Sequence, residues 1–136
     1  MAETDESLSL VLFSGTDDKL SAAAVLTAGA AAMGRKVNIF LQYWALDAFR
    51  TGETTKDHGL APEATPTAAE MVRQHHTAPW SEILAQAKDI GDVDIQACAL
   101  SMEAFKLTKD DLDPLVDGVE GVAAFMASAT GAVVFI

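Results

Sequence analysis

The chain's one cysteine, Cys98, lies in the stretch Asp94-Ile-Gln-Ala-Cys-Ala-Leu-Ser101, where a β-branched run gives way to helix-forming residues. Val93-Asp94-Ile95 leads into it, and Leu100, Met102, Glu103, Ala104 and Phe105 follow. This pattern puts the thiol where a strand ends and a helix begins. Unpaired N–H groups and the positive end of a helix dipole favour an anion there, so the thiolate would form more readily than in free solution. The alternative is a buried structural cysteine that acts as a small hydrophobe, and spacing alone does not choose between the two.

Ligands of an open parallel sheet gather outside the carboxyl ends of its strands. The residues that follow the predicted strands here are Ser14-Gly15-Thr16, Gln42-Tyr43-Trp44 and Cys98-Ala-Leu-Ser101. Brought together, they predict a small pocket with a thiol, the hydroxyls of Ser14, Thr16 and Ser101, N–H groups at two helix starts, and aromatic walls from Tyr43 and Trp44. Such a pocket suits a small anion or a terminal sulfur atom. A dinucleotide would need the three-glycine spacing that Ser14-Gly15-Thr16 lacks, and no Walker A sequence is present. The same residues also have plain structural roles, as turns and caps for the hydroxyls and as core or interface packing for Tyr43 and Trp44.

Other candidates for chemistry are weaker. His75 and His76 are adjacent and so face different ways on a helix, while His58 falls in a loop. A site made of a histidine and Cys98 matches no usual zinc spacing, so no metal is expected, and no cofactor motif appears. Nothing places a histidine beside Cys98, or an oxyanion donor opposite it, as a cysteine hydrolase requires. The acidic cluster Asp110, Asp111, Asp113, Asp117 and Glu120 lacks the ordered spacing of a calcium loop and reads as a solvated face.

The elements that must position these residues follow from hydrophobic patterning. Leu8 to Phe13 is a nearly continuous apolar run, the mark of a strand buried on both faces. Asp17 and Asp18 open a helix with acid in its first turn, and Lys19 to Met33 continues it with seven alanines and one glycine. Gly34 closes it, and Val37 to Leu41 makes a second buried strand, completing a βαβ unit. Ala45 to Arg50 is a short helical turn. Thr51 to Pro66, with Gly52, Gly59, Pro62 and Pro66, reads as an exposed loop free to move. Thr67 is placed to cap a helix reaching His75 or His76, with Glu70 in capping-box register, and a second helix starts at Pro79-Trp80 and runs to Ile90. After the strand that delivers Cys98, Thr108 to Pro114 forms a capped acidic turn, Gly118 to Val122 a short strand, Ala123 to Ala129 a helix, and Ala132 to Ile136 a last strand. Strands alternating with helices mean an α/β fold: a single-domain three-layer sandwich with a mostly parallel sheet over residues 8–136, preceded by a flexible acidic leader over 1–7.

The bulk composition excludes several classes of function. At 136 residues and 50% hydrophobic content the chain can bury one real core. Nine basic against twenty acidic residues give a formal charge of −11. That repels phosphate backbones and anionic bilayers, so neither nucleic acid nor stable membrane insertion is expected. The same charge fits either salt adaptation or a partner with a basic face. Leu20 to Met33 is too short to span a bilayer, and the acidic start of the chain does not resemble a secretory signal. A lone cysteine makes no internal disulfide, so a reducing, cytoplasmic setting is expected.

Several separated motifs, in order, resemble the DsrE/DsrF-like family, and within it the branch labelled peroxiredoxin-like. They are Val11-Leu-Phe-Ser-Gly-Thr-Asp-Asp-Lys-Leu20, the Gly29-to-Gly34 helix end with Val37-Asn-Ile-Phe40 and Tyr43-Trp44-Ala-Leu46, Ala97-Cys-Ala-Leu-Ser-Met102, and Gly121-Val-Ala-Ala-Phe125 with Val134-Phe-Ile136. The resemblance implies a compact, flavodoxin-like α/β domain that assembles into trimers or hexamers. It also implies a role as sulfur carrier or sulfurtransferase, in which Cys98 accepts sulfane sulfur as a persulfide from a donor protein and passes it to an acceptor. Ser14, Gly15, Thr16, Tyr43, Trp44 and Ser101 are the substrate-binding candidates. Relatives in this branch often carry a longer methionine- and glycine-rich insert where this chain has a short polar loop with His58. With no second cysteine, a peroxidase cycle that resolves internally is excluded. The competing function is a small-ligand-binding or oligomeric scaffold protein with a structural cysteine.

Overall fold

The computed structural model describes residues 5–75 and 77–136. Among them, the parallel strands β1 (Leu8–Leu12), β2 (Val37–Leu41), β3 (Val93–Cys98), β4 (Gly118–Glu120) and β5 (Ala132–Phe135) form one sheet in the order β4-β3-β2-β1-β5. The helices are α1 (Asp17–Ala32), α2 (Tyr43–Ala48), α3 (Pro66–Gln74), α4 (Trp80–Ile90), α5 (Ala99–Ala104) and α6 (Val122–Ser128), with a 3₁₀ turn at Lys109–Asp111. The expected α/β sandwich is present, and its sheet is wholly parallel. Part of the predicted leader, residues 1–4, and His76 lie outside the described residues.

Side-chain alternation divides the sheet into two unlike faces. Leu10 and Leu12, Val37, Ile39 and Leu41, and Val93, Ile95 and Ala97 point into the main core with α1, α2, α4 and Met102 of α5. Val11, Phe40 and Cys98 point the other way, against Phe125 of α6 and Ala129 just after it. The reason is topological. Each connection from β1 through β4 steps the same way across the sheet, and right-handed crossovers then put their helices on one face. The β4-to-β5 connection runs back over the sheet, so its helix, α6, lands on the opposite face.

The sequence patterns fix most of the ends. Helix α1 packs its small residues inward (Ala23, Ala24, Thr27, Ala30 and Ala31 are buried), close enough to α4 that a side chain at Gly91 would strike Ala31. Its outer residues Val25, Leu26 and Met33 are exposed. Three expectations need correction. Helix α2 begins at Tyr43, two residues before Ala45. Helix α3 is capped by Thr65, whose Oγ1 accepts the Ala68 N–H at 3.2 Å, because Pro66 takes the first helical position and leaves Thr67 inside the helix. The 51–66 loop is tied down, since His58 N–H donates to Asp17 Oδ2 (2.9 Å) and Ala61 N–H reaches both oxygens of Asp18 (3.2 and 3.1 Å). The two acids of the first helical turn thus serve the loop as well as the helix dipole.

Candidate functional site

Cys98 is both the last residue of β3 and the N-cap of α5, with an extended backbone (φ −67°, ψ 119°). The strand-to-helix junction is where the patterning put it. Its side chain is 3% exposed and packs with Phe40 and Phe125, whose rings stack with centroids 4.6 Å apart and planes 11° from parallel. With six residues, α5 brings little dipole to the thiol. On this face Val11 and Ala129 pack beside the two rings, so the thiol is covered between the sheet and α6.

The remaining candidates gather at the same end of the sheet, in two separate places. Ser14, Gly15 and Thr16 line a cleft of about 330 Å³ with Trp44, Asp47, Ala48 and His58. The Ser14 and Thr16 hydroxyls are 3.4 Å apart, and a Cβ at Gly15 would land on the Trp44 carbonyl, so glycine is what allows α2 to approach the β1 end this closely. Trp44 is 57% exposed. Tyr43 holds an uncommon positive φ of 40°, and its N–H donates to Ser101 Oγ at 3.1 Å. Ser101 is fully buried, so it locks α2 onto α5. The walls of the 330 Å³ cleft therefore include Ser14, Gly15, Thr16 and Trp44, and do not include Tyr43, Ser101 or Cys98. The residues expected to share one pocket therefore do not all line this cleft.

The acidic cluster is largely the solvated face expected, with Asp110, Asp111 and Asp117 exposed, and several of its carboxylates also hold the local chain. Asp117 Oδ2 accepts the Ile95 N–H at 2.8 Å and bonds Lys88 Nζ, Asp113 accepts from Thr54 Oγ1 and Leu115 N–H, and Asp111 closes a capping box with Thr108. These carboxylates build the chain between β3 and β4. Glu120 is half-buried and is the β-ladder partner of Cys98. Burial lifts its carboxyl above the ordinary glutamate range, and the nearby Asp94 charge adds to the effect. Sequence spacing could not show this, since 22 positions separate Cys98 from Glu120 and the pairing depends on which strand β4 chooses.

A larger cavity, about 740 Å³, opens on the main-core side between the start of α1, the 54–60 loop, α3 and Trp80. Trp80 donates its indole N–H to Asp17 Oδ1 at 3.0 Å, and Met71 and Val72 of α3 face the cavity. Among the described residues no cluster of histidine, cysteine and carboxylates is arranged to hold a metal ion, and no helix is long and apolar enough to cross a membrane.

Residues 4–65 and 58–135 match the model of the DsrE/DsrF/DrsH-like family. The chain belongs to this family. A curated relative, the uncharacterized protein YrkE of Bacillus subtilis (strain 168), is 26% identical over 153 aligned residues, covering 95% of this chain and 94% of its own. Two solved structures share the fold. MTH1491 of Methanobacterium thermoautotrophicum, a protein of unknown function, superposes with a TM-score of 0.61 at 13% identity over 97% of this chain and all of its own. The YchN protein of E. coli gives 0.53 at 16% identity over 96% and 98%. The family is known for sulfur relay, and the chain's one cysteine is Cys98, which is free and buried.

Proposed function

We propose that this chain is a sulfur carrier or sulfurtransferase that holds sulfane sulfur as a persulfide on Cys98 and passes it to a partner protein. The observation that carries the reading is the position of the sole cysteine at the carboxyl end of an interior strand of the sheet, in a chain of the sulfur-relay family. A thiolate there attacks the outer sulfur of a donor, and the persulfide it becomes is itself a nucleophile that can be handed on. Ser14, Gly15, Thr16 and Trp44 are proposed to receive the approaching donor at the small cleft, while the Tyr43–Ser101 bond joins α2 to α5 beside them. The partners are a sulfur donor and a sulfur acceptor, met in the cytoplasm. Self-assembly into a trimer or hexamer is part of the same reading. It is supported by the apolar outer side of α1 and by the edge strand β5, where Phe135 is 66% exposed.

A second reading has its own support. The near-complete burial of Cys98 and the 740 Å³ cavity elsewhere suit a small-ligand-binding protein with a structural cysteine. One experiment separates the two. The reduced protein and Cys98→Ser are incubated with polysulfide, and intact mass is followed. Mass added in whole sulfur atoms in the wild type alone, and lost on adding an acceptor thiol protein, supports the carrier. No addition where a control thiol protein is loaded supports the binding protein.

A further inference from the structure

Sulfur transfer to Cys98 requires its proton to leave, and the hydrophobic side chains packed on the thiol accept none. Phe40, Phe125, Val11 and Ala129 are all apolar, and the thiol itself is 3% exposed. A thiolate formed there without a proton acceptor bears the full cost of a buried charge. Strand pairing brings a carboxyl alongside. In the parallel ladder of β3 with β4, Gln96 pairs with Gly118, Ala97 with Val119, and Cys98 with Glu120. Neighbouring strands run about 4.8 Å apart and side chains alternate between faces, so paired residues rise side by side from the same face. Glu120 leaves the sheet beside Cys98.

Two details suit Glu120 to moving a proton. First, β4 is the edge of the sheet, so a half-buried carboxyl there borders water next to the covered thiol. Second, the other carboxylate of this face is engaged. The Gln96 side chain lies across Gly118, its Oε1 2.8 Å from where a Cβ would stand, and its Nε2 donates to Asp94 Oδ1 at 2.9 Å. No hydrogen bond contributes to the raised pKa of Glu120. Nearest the pair on this face are Gln96, with Asp94 farther along β3, Phe40 on β2, and Phe125 with Ala129 from the α6 side. Burial and the Asp94 charge bring the Glu120 carboxyl closer to neutral pH, where a base is most effective.

We propose that Glu120 is the general base and acid of sulfur transfer at Cys98. The inference rests on the carrier reading and adds the group that moves the proton. In the step, Glu120 takes the Cys98 thiol proton as Sγ attacks the outer sulfur of a donor persulfide R–S–SH. The Cys98–sulfur bond forms, the donor's S–S bond breaks with its electron pair going to R–S⁻, and Glu120 returns the proton to that leaving thiolate. The products are R–SH and Cys98–S–SH, and no oxidant or reductant is consumed.

The test uses the full chain as wild type, Glu120→Gln and Glu120→Asp, with circular dichroism confirming the fold. Loading from cysteine persulfide is timed by intact mass. Alkylation of Cys98 by iodoacetamide is followed against pH. Removing the neighbouring anion moves the alkylation midpoint of Glu120→Gln to lower pH. Loading at pH 7 slows on the order of 100-fold, the usual range for loss of a general base, and Glu120→Asp recovers part of it. A carboxylate that were only a bystander would shift the midpoint in the same direction and leave loading unchanged or faster, and that result overturns the proposal. Should even the wild type take up no sulfur, the carrier reading fails on its own. The midpoint still decides the juxtaposition, because equal midpoints in wild type and Glu120→Gln would mean that the two side chains do not interact.

Discussion

Phe125 is the residue whose loss should most change access to Cys98. It is 1% exposed and stacked on Phe40, whereas the other residues of α6 are exposed, so the helix is anchored to the sheet largely through this ring. Truncating a buried phenylalanine to alanine costs about 3–5 kcal/mol, and the low end applies because a short peripheral helix can settle into the space. Since the ring serves α6 and little of the main core, most of that cost falls on the local closing of α6 over the thiol. Losing about 3 kcal/mol there raises the open population, and with it the reaction rate of Cys98 with a small disulfide reagent, on the order of 100-fold. Phe125→Leu keeps apolar volume and loses the stacked ring, a change of about 1.5 kcal/mol and a rate increase on the order of 10-fold. The assay is the pseudo-first-order rate of thiol reaction, with urea denaturation run in parallel to separate local opening from global loss. Rates within twofold of wild type in folded Phe125→Ala would refute the reasoning, because the thiol would then be reached by a path that does not cross α6. If the alanine variant does not fold, the leucine variant decides by the same criterion.

Three further outcomes are expected. Gly15→Ala puts a methyl group onto the Trp44 carbonyl and should cost about 1–3 kcal/mol in urea denaturation, with increased protease sensitivity between Ser14 and Ala48. Ser101→Ala leaves the Tyr43 N–H without its partner in a part-buried setting and should cost about 1 kcal/mol, whereas Ser101→Thr, which keeps the hydroxyl, should lose less. For Asp18, burial pushes the carboxyl up, but hydrogen bonds from the Thr16 hydroxyl and the Ala61 and Lys19 N–H groups outweigh it, and the net value is lowered. A lowered folded pKa means stability that is present above the unfolded value and lost as pH falls through the folded one. Amide exchange at Ala61, corrected for its intrinsic pH dependence, should therefore accelerate below about pH 4, and Asp18→Asn should abolish that acid step.

The elements whose signal is local were legible in the sequence. Strand β2 begins and ends where its apolar run does, α4 starts behind Pro79 and stops at Gly91, and the capping box at Thr108 and Asp111 is the expected turn. Cys98 sits at its strand-to-helix junction because β-branched residues precede it and helix formers follow. What the sequence hid depends on partners far along the chain. Asp17 and Asp18 look like ordinary first-turn acids until His58, Ala61 and Trp80 are seen to donate to them. Ser101 looks like a pocket hydroxyl until the Tyr43 backbone claims it. Glu120 looks like one more surface acid until β4 pairs with β3. A hydroxyl or carboxylate carries no sign of its acceptor role in its own neighbourhood, whereas an apolar run states its period directly.

The strand order also bears on how a thiol can be shielded and yet reachable. A five-strand sheet with spacings of about 4.8 Å is roughly 20 Å wide. A helix of seven residues is about 10 Å long and about 10 Å across. Helix α6, alone among the described helices on its face, therefore covers about half the width, and its contacts put it over β1, β2 and β3 through Val11, Phe40 and Cys98. The two edges stay open, Glu120 on one side and exposed Val133 and Phe135 on the other. Had the chain continued in one direction past β4, the Cys98 face would have had no helix, and the thiol would stand in water. Had a second crossover returned over the sheet, the thiol would lie under a full layer, where a donor could enter only by disrupting the core. One reversal gives the intermediate case, a thiol covered from one helix by Phe125 with a titratable group at the uncovered edge. On the carrier reading, this topology lets sulfur be held away from water and exchanged without unfolding the domain.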